Sequence, residues 1–365
     1  MGVIACVVAL ASALSGCAAG AGSSAGASSA LSVASQTPLT ELEVLEDPKS
    51  YVGESTATLV SESVTPVTDD PEQSLPVTVT SHDSDGDVEV TVSDTSRIIP
   101  MDLSGSIAST VFALGFGDSV VGRDISTTFP EAEDLPVVTG SSHSINAEAV
   151  LALEPTLVIT DGSIGPRDVV AQLRDAGVTV VFVNNESSFA GAAQLALDVA
   201  DVLGAPEAGE LLSERISSEV AQVSAEIDEI VPADEDDRLR MVFLYLRGGA
   251  GVYYLFGEGS GADELIEALG GIDVASEIGW VGEKPMTAEA LAEANPDLIL
   301  VMTSGLESVG GVDGLLESKP EVAVTNAGVN RRFVDMADGD ILSFGPRSAD
   351  ILDALARAIY APDAS

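Results

Sequence analysis

Tyr245 precedes Arg247 by two residues in the run Val242-Phe243-Leu244-Tyr245-Leu246-Arg247-Gly248-Gly249. If that run is a strand, alternation places Phe243, Tyr245 and Arg247 on one face, and the glycines beyond it allow a sharp turn. A guanidinium beside a phenol favours the phenolate by direct charge. A phenolate is a hard ligand suited to ferric iron, and tyrosine is among the axial ligands of haem. The same string also describes a strand-end tyrosine with a solvated arginine. His143 is one of only two histidines, the other being His82, so a multi-histidine metal centre or a two-histidine catalytic site is nearly excluded. His143 lies in the polar string Gly140-Ser141-Ser142-His143-Ser144 just ahead of a helical stretch, where α/β folds present ligand loops. A capping or hydrogen-bonded loop histidine fits that position too.

These residues need elements to position them. Segments 75–81 and 87–93 alternate and are separated by His82-Asp83-Ser84-Asp85-Gly86, the signature of a hairpin. Its acids suggest calcium, but the EF-hand glycine position holds Val88 and the final ligand is missing, which favours a solvated turn. From residue 97 onward short apolar runs alternate with helical stretches. Strands are expected at 97–101, 119–121, Leu157–Thr160, 178–183, 241–246, Leu298–Met302 and 332–335. Helices are expected at 107–114, 169–175, 190–202, 262–269, Ala288–Ala294, 314–318 and 349–360. That βαβ alternation implies a parallel sheet covered by helices. Leu212, Ile216, Val220, Val223, Ile227 and Ile230 step by three or four residues, the stripe of one long amphipathic helix over 208–230, ended by Pro232 and the acids at 234–237.

A repeat organises the whole. Ala147-Glu148-Ala149-Val150 followed by Pro155-Thr156-Leu157-Val158-Ile159 recurs as Ala288-Glu289-Ala290-Leu291 followed by Pro296-Asp297-Leu298-Ile299-Leu300. Each copy is a short helix, a proline and a buried strand, and Asn146 and Thr287 stand as N-caps. Two similar α/β lobes follow, with the long helix between them and a cleft where they face each other.

Composition narrows the function. With 15 Lys and Arg against 59 Asp and Glu, the chain carries a formal charge of −44. It lacks the clustered cations that nucleic acid requires or that an anionic lipid surface would attract. No apolar run reaches the ~18 residues of a spanning helix, so a soluble body is expected. Enzyme readings find little support. No Gly-x-Ser-x-Gly elbow falls within the α/β alternation and no Walker loop occurs. Gly257-Glu258-Gly259-Ser260-Gly261 lacks dinucleotide spacing, and its glutamate would repel phosphate.

Residues 3–14 are almost wholly apolar, the length of a signal core. No cation precedes them, since Lys49 is the first in the chain, so a start upstream of Met1 is expected. The string Leu14-Ser15-Gly16-Cys17 resembles a bacterial lipobox, which implies a signal peptide over 1–16 and a lipidated Cys17 as the mature N-terminus, with Cys6 removed. An acidic flexible tether is expected over 17–74, then an N-terminal lobe with its leading hairpin over 75–205, the connecting helix over 206–231 and a C-terminal lobe over 232–365.

The lipobox, the tether, the two lobes bridged by one helix and the repeated Ala-Glu-Ala helix start together resemble a class III substrate-binding protein of an ABC importer. Several strings are similar to haemin-binding lipoproteins of the HmuT type: Ser96-Arg97-Ile98-Ile99-Pro100, Gly122-Arg123-Asp124, Phe129-Pro130-Glu131-Ala132, residues 140–148, 244–248, and Phe344-Gly345-Pro346-Arg347. The resemblance spans roughly 77–360. It implies an α/β fold of two Rossmann-like lobes joined by a long backbone helix. It implies a receptor, not an enzyme, that is lipid-anchored at the extracytoplasmic face of the bacterial membrane. That receptor would carry ferric haem b as its transported ligand to an ABC permease dimer with its ATPase.

His143 and Tyr245 would then be axial ligands from opposite lobes, with Arg247 bonding the phenolate. Arg247 and Arg347, and after them Arg331, Arg332 and Arg167, would be cations for the propionates, and Met302 would pack on the macrocycle. Glu148 and Glu289, each at a helix start where a carboxylate meets the positive end of the dipole, would dock the permease subunits. A monomer is expected. The same fold carrying a ferric siderophore or cobalamin, and a surface haem relay that docks no permease, are the competing readings.

Overall fold

The computed structural model describes residues 37–140 and 142–363. The expected signal segment, Cys6, Cys17 and the first part of the tether lie outside the described residues. No helix among those described is long and apolar enough to cross a membrane.

Among the described residues twelve strands run in chain order: β1 (Ser55–Ala57), β2 (Val77–Asp83), β3 (Gly86–Val92), β4 (Ile98–Met101), β5 (Leu157–Thr160), β6 (Thr179–Phe182), β7 (Arg240–Arg247), β8 (Val252–Phe256), β9 (Ile272–Asp273), β10 (Glu283–Pro285), β11 (Leu298–Met302) and β12 (Phe333–Met336). In the first lobe β4, β5 and β6 form a parallel sheet in that order. Every residue of β4 and β5 is buried, as expected for parallel strands covered on both faces. Pro100 is tolerated because β4 lies at the edge. The 119–121 piece contributes only a bridge from Val120 to Ile98. The hairpin β2–β3 packs beside β6: Phe182 N–H donates to Ser81 Oγ at 2.9 Å, and Asp83 pairs with Arg174. His82 meets Asp87 across the hairpin at 3.0 Å.

The second lobe holds the larger sheet, in the order β1-β12-β11-β7-β8-β10, with β9 beside β7. β1, β12, β11 and β7 are parallel, while β8 runs antiparallel to both of its neighbours, β7 and β10. The repeat appears as helix Ala147–Ala152 leading to β5, and helix Ala288–Ala294 leading to β11. Asn146 Oδ1 and Thr287 Oγ1 each accept a backbone N–H three residues on, at 3.1 Å. The two sheets nevertheless differ in strand number and in connectivity.

The long helix spans Pro206–Ile230, about 37 Å at 1.5 Å per residue. Leu212, Ile216, Val223 and Ile227 are buried, and Val220 and Ile230 pack against the same core. It does not stand alone. Helix Phe189–Leu203 ends at Gly204, whose φ of 68° suits a residue without a Cβ, and folds back along the long helix, with Gly209 letting the backbones close on Ala200. The closing helix Ser348–Tyr360 packs on the long helix as well. One hydrophobic cluster runs from β4 and helix Ser106–Ala113 of the first lobe to β7 and β12 of the second, so the lobes share a core beneath their cleft.

The expectation of a flexible tether reaching residue 74 is corrected by residues 37–74. Leu39 is fully buried against the long helix. Lys49 Nζ donates to Asp236 O, and β1 extends the second sheet in register with Val334–Met336. Further on, Val64 N–H donates to Glu131 Oε2 at 3.2 Å, and Val67 N–H to Ala113 O at 2.8 Å. Gln73 Nε2 reaches Leu203 O at 2.7 Å. The segment is a strap across both lobes. Its order comes from docking, which a stretch without its own periodicity does not announce.

Candidate ligand site between the lobes

β7 sits inside the large sheet, paired with β11 on one side and β8 on the other. Its Phe243 is buried, Tyr245 half-buried and Arg247 exposed, so burial falls along one face toward the strand's C-terminal end. Across the antiparallel register Phe243, Tyr245 and Arg247 oppose Phe256, Tyr254 and Val252. The Tyr245 ring stacks on Phe256 at 6.1 Å between centroids, and Phe243 meets Phe256 at 5.0 Å. Directly opposed residues share a sheet face, so Tyr254 puts a second phenol beside Tyr245. On the parallel side Leu300 pairs with Phe243. Met302 and Tyr245 each lie two residues further on and therefore share that face. After β7 the chain turns through Gly248, which any Cβ would drive into the Ser308 carbonyl. Its N–H donates to Ser308 Oγ at 2.8 Å.

The first lobe answers with the loops at the ends of β4 and of the 124–127 turn. Asp102, directly after β4, is wholly buried. Its carboxylate accepts the N–H groups of Ser106 and Ile107 and the Ser104 hydroxyl, capping helix Ser106–Ala113. Asp124 accepts the Asp102 N–H at 2.9 Å and both the N–H and hydroxyl of Thr127. Burial, then the nearby charges of Asp124 and Asp161, push the Asp102 carboxyl up to about 7. Burial also raises Asp124, against the hydrogen bonds it accepts. This acid pair fixes a loop whose outer side presents Ile125, 37% exposed, and Ser126, next to Leu103 at 53%.

His143 sits half-buried in a turn closed by its own N–H to Gly140 O at 2.9 Å and by Gly140 N–H to Ser144 O at 2.8 Å. Its φ is 55°, the left-handed region. The Nδ1 atom lies 3.3 Å from Ser126 Oγ. Burial, then the Arg247 guanidinium, hold the imidazole below its usual range, with Asp124 pulling weakly the other way. His143 and Arg247 come from opposite lobes, so the fold brings the histidine and the Tyr245–Arg247 strand end to one cleft. The second lobe closes on the first nearby. A Cβ on Gly339 would strike Thr128 Oγ1, with the Ser126 carbonyl just beyond, and Phe344 packs edge-on against Phe189 at 5.1 Å between centroids. Glu148 and Glu289 are exposed in the first turns of their helices. Glu148 shares a recess of about 430 Å³ with Gly140 and Ser144 of the histidine turn.

Three of the expected cations lie elsewhere. Arg347 is 7% exposed, paired with Asp340 at 2.7 Å, donating to Glu62 O at 3.2 Å and facing the Phe129 ring. It knots the strap and the two lobes together, which corrects its expected place as a propionate cation. Arg331 and Arg332 precede β12, at the end of the parallel strands opposite to Tyr245. Arg331 pairs with Glu54 and Asp313, while Arg332 is buried, bonded to Ser55 Oγ and Ile359 O and stacked on Tyr51. The Arg167 side chain lies outside what is described.

Sequence reasoning missed Tyr254 and Phe256, although Val252-Tyr253-Tyr254-Leu255-Phe256 between glycines carries strong β-propensity. It also missed Leu103, Ile125 and Ser126, whose local sequence carries no such signal.

Comparison with known proteins now bears on this geometry. Residues 102–338 match the family model described as periplasmic binding protein. A crystal structure of the heme-binding protein HmuT is 45% identical, covers 86% of this chain and 99% of its own, and superposes with a TM-score of 0.81. Alanine variants of that protein, at a histidine, a tyrosine and an arginine two residues after the tyrosine, match at 43–44% identity. The periplasmic heme-binding protein RhuT from Roseiflexus sp. RS-1, in apo form, is 38% identical over 74% of this chain and 99% of its own, with a TM-score of 0.66. The uncharacterized ABC transporter substrate-binding lipoprotein YvrC of Bacillus subtilis (strain 168) is 28% identical over 79% of this chain and 87% of its own.

Proposed function

We propose, since this chain belongs to the periplasmic binding protein family, that it is a receptor which captures ferric haem between its lobes and passes it to an ABC importer. The observation that carries the reading is the meeting of His143 with the Tyr245–Arg247 strand end across the cleft, where Arg247 acts electrostatically on the imidazole. The heme-binding relatives, similar over most of their length, support it. Ferric haem is here the cargo, and no covalent chemistry is done on it.

Each residue has a separable task. His143 and Tyr245 are the axial ligands, one from each lobe; a phenolate satisfies ferric iron and a neutral imidazole completes the pair. Arg247 supplies the counter-charge beside the phenolate and the cation nearest the propionates. Met302, Phe256, Leu103 and Ile125 offer apolar surface to the macrocycle. Glu148 and Glu289, equivalent in the repeat, dock the two permease subunits, matching a two-fold partner, and the ATPase drives import from the other side. Cys17 carries the lipid that keeps the receptor, a monomer, at the outer face of the cell membrane. Release follows when docking separates the lobes and weakens one axial bond. The shared core and the paired long helices favour small lobe movements.

The test is an absorption spectrum of the protein with haemin, for the wild type, Tyr245→Ala and His143→Ala. Both substitutions are expected to change the Soret band. A band left unchanged by either one removes that residue as an iron ligand, and no binding to the wild type removes haem as the cargo.

A further inference from the structure

We propose that Ser126 is a positioning residue that locks His143 in the tautomer with its proton on Nδ1, leaving Nε2 as the nitrogen that takes the metal. This rests on the haem reading above and adds the group that orients one of its ligands. A serine hydroxyl has a single hydrogen and two lone pairs. The hydrogen of Ser126 goes to the Leu103 carbonyl at 2.6 Å, because a carbonyl can only accept. Ser126 Oγ therefore faces His143 Nδ1, 3.3 Å away, with a lone pair, and the ring nitrogen must be the donor. The bond its other nitrogen makes decides which imidazole nitrogen is free for a metal.

The placement of Ser126 is itself enforced. Asp124, two residues earlier, is held by the Asp102 N–H and by both donors of Thr127. Ile125 N–H donates to Thr139 Oγ1 at 2.9 Å. From the other lobe, Gly339 packs against Thr128 and the Ser126 carbonyl. The carbonyl, the hydroxyl and the imidazole thus form a chain whose direction is set at the Leu103 end, and both lobes brace its middle link. Among the described residues the hydroxyl of Ser126 is the side-chain group at hydrogen-bond distance from His143 Nδ1, and this bond sets the tautomer.

The chain's two histidines make the test direct. Long-range nitrogen–proton NMR on the ligand-free full chain at pH 8 reads each neutral ring, and His82→Ala assigns the pair. The wild type is expected to show His143 protonated at Nδ1. Ser126→Ala is expected to move the population toward the Nε2–H form and to weaken haemin binding 10–100-fold. Ser126→Thr, which keeps the hydroxyl, is expected to restore both. An Nε2–H ring in the wild type overturns the proposal, as does a Ser126→Ala variant with unchanged tautomer and affinity. A locked Nδ1–H tautomer in a wild type that fails to bind haemin upholds the positioning role and defeats the haem reading instead.

Discussion

Removing the Asp340 carboxylate should damage the fold and spare the ligand. Arg347 and Asp340 meet at 2.7 Å with side chains only 8% and 11% exposed. In Asp340→Ala the buried guanidinium keeps only the Glu62 carbonyl at 3.2 Å and the face of Phe129. Leaving one member of a buried pair without its partner costs about 3–5 kcal/mol. Unfolding entropy near 2.1 cal/mol/K per residue gives roughly 0.7 kcal/mol/K for a body of this size, so Tm should fall by about 4–7 °C. Calorimetry of the ligand-free protein at pH 7.5 measures this, and the double variant Asp340→Leu/Arg347→Met should recover much of the loss, because both charges leave together. Haemin affinity should stay within a few-fold in Asp340→Ala, in the double variant and in Arg347→Met. A Tm within 1 °C of wild type for Asp340→Ala would refute the reasoning. So would an Arg347→Met variant of unchanged Tm that loses haemin affinity tenfold or more, since that result would return Arg347 to the propionates.

Further outcomes follow from other parts of the fold. Asp102 has its native carboxyl raised to about 7, chiefly by burial, above its unfolded value of 3.8. Such a group contributes stability that is present at low pH and lost as pH rises between those two values. Wild-type Tm relative to Asp102→Asn should therefore fall from pH 5 to pH 7.5; a flat difference would show that Asp102 is already ionised in the fold. Glu148→Lys and Glu289→Lys should abolish haem uptake by cells while leaving haemin binding intact, and unchanged uptake would favour a relay that docks no permease. Arg332→Met removes the donor that serves the Ile359 carbonyl at 2.6 Å, a loss worth about 1–3 kcal/mol, while the Ala358 carbonyl keeps the Ser55 hydroxyl at 2.7 Å. It should also release the strap, read as faster proteolysis between residues 51 and 57; unaltered cleavage there would mean that Arg332 does not hold it.

The repeat and the long helix were legible because burial imposes a period on each. The helix Ala288–Ala294 and strand Leu298–Met302 fall where the alternation of Leu, Ile and Ala put them, and the six apolar residues between Leu212 and Ile230 all meet the core. His143, Tyr245 and Glu148 stood out by scarcity, by a neighbouring charge and by repetition. What escaped was whatever is defined only by contact. The strap has three residues in a strand and owes its order to Arg332, Glu131 and Leu203, which are distant in sequence. Arg347 stands in a string that resembles the receptor family's, and only the fold reveals its burial against Asp340. Ser126 is one serine among many until the Leu103 carbonyl and the His143 ring are seen on either side of it.

The margins of the large sheet carry a last consequence. On one side β1 lies against β12, and three residues of strap cover hydrogen-bonding groups that β12 would otherwise offer outward. On the other side the outermost strand is the tripeptide Glu283-Lys284-Pro285, short, charged and ended by a residue with no N–H to give. Bare strand margins invite pairing between neighbouring copies, and these are the devices that discourage it. Copies of the chain brought to high local density can thus stay separate.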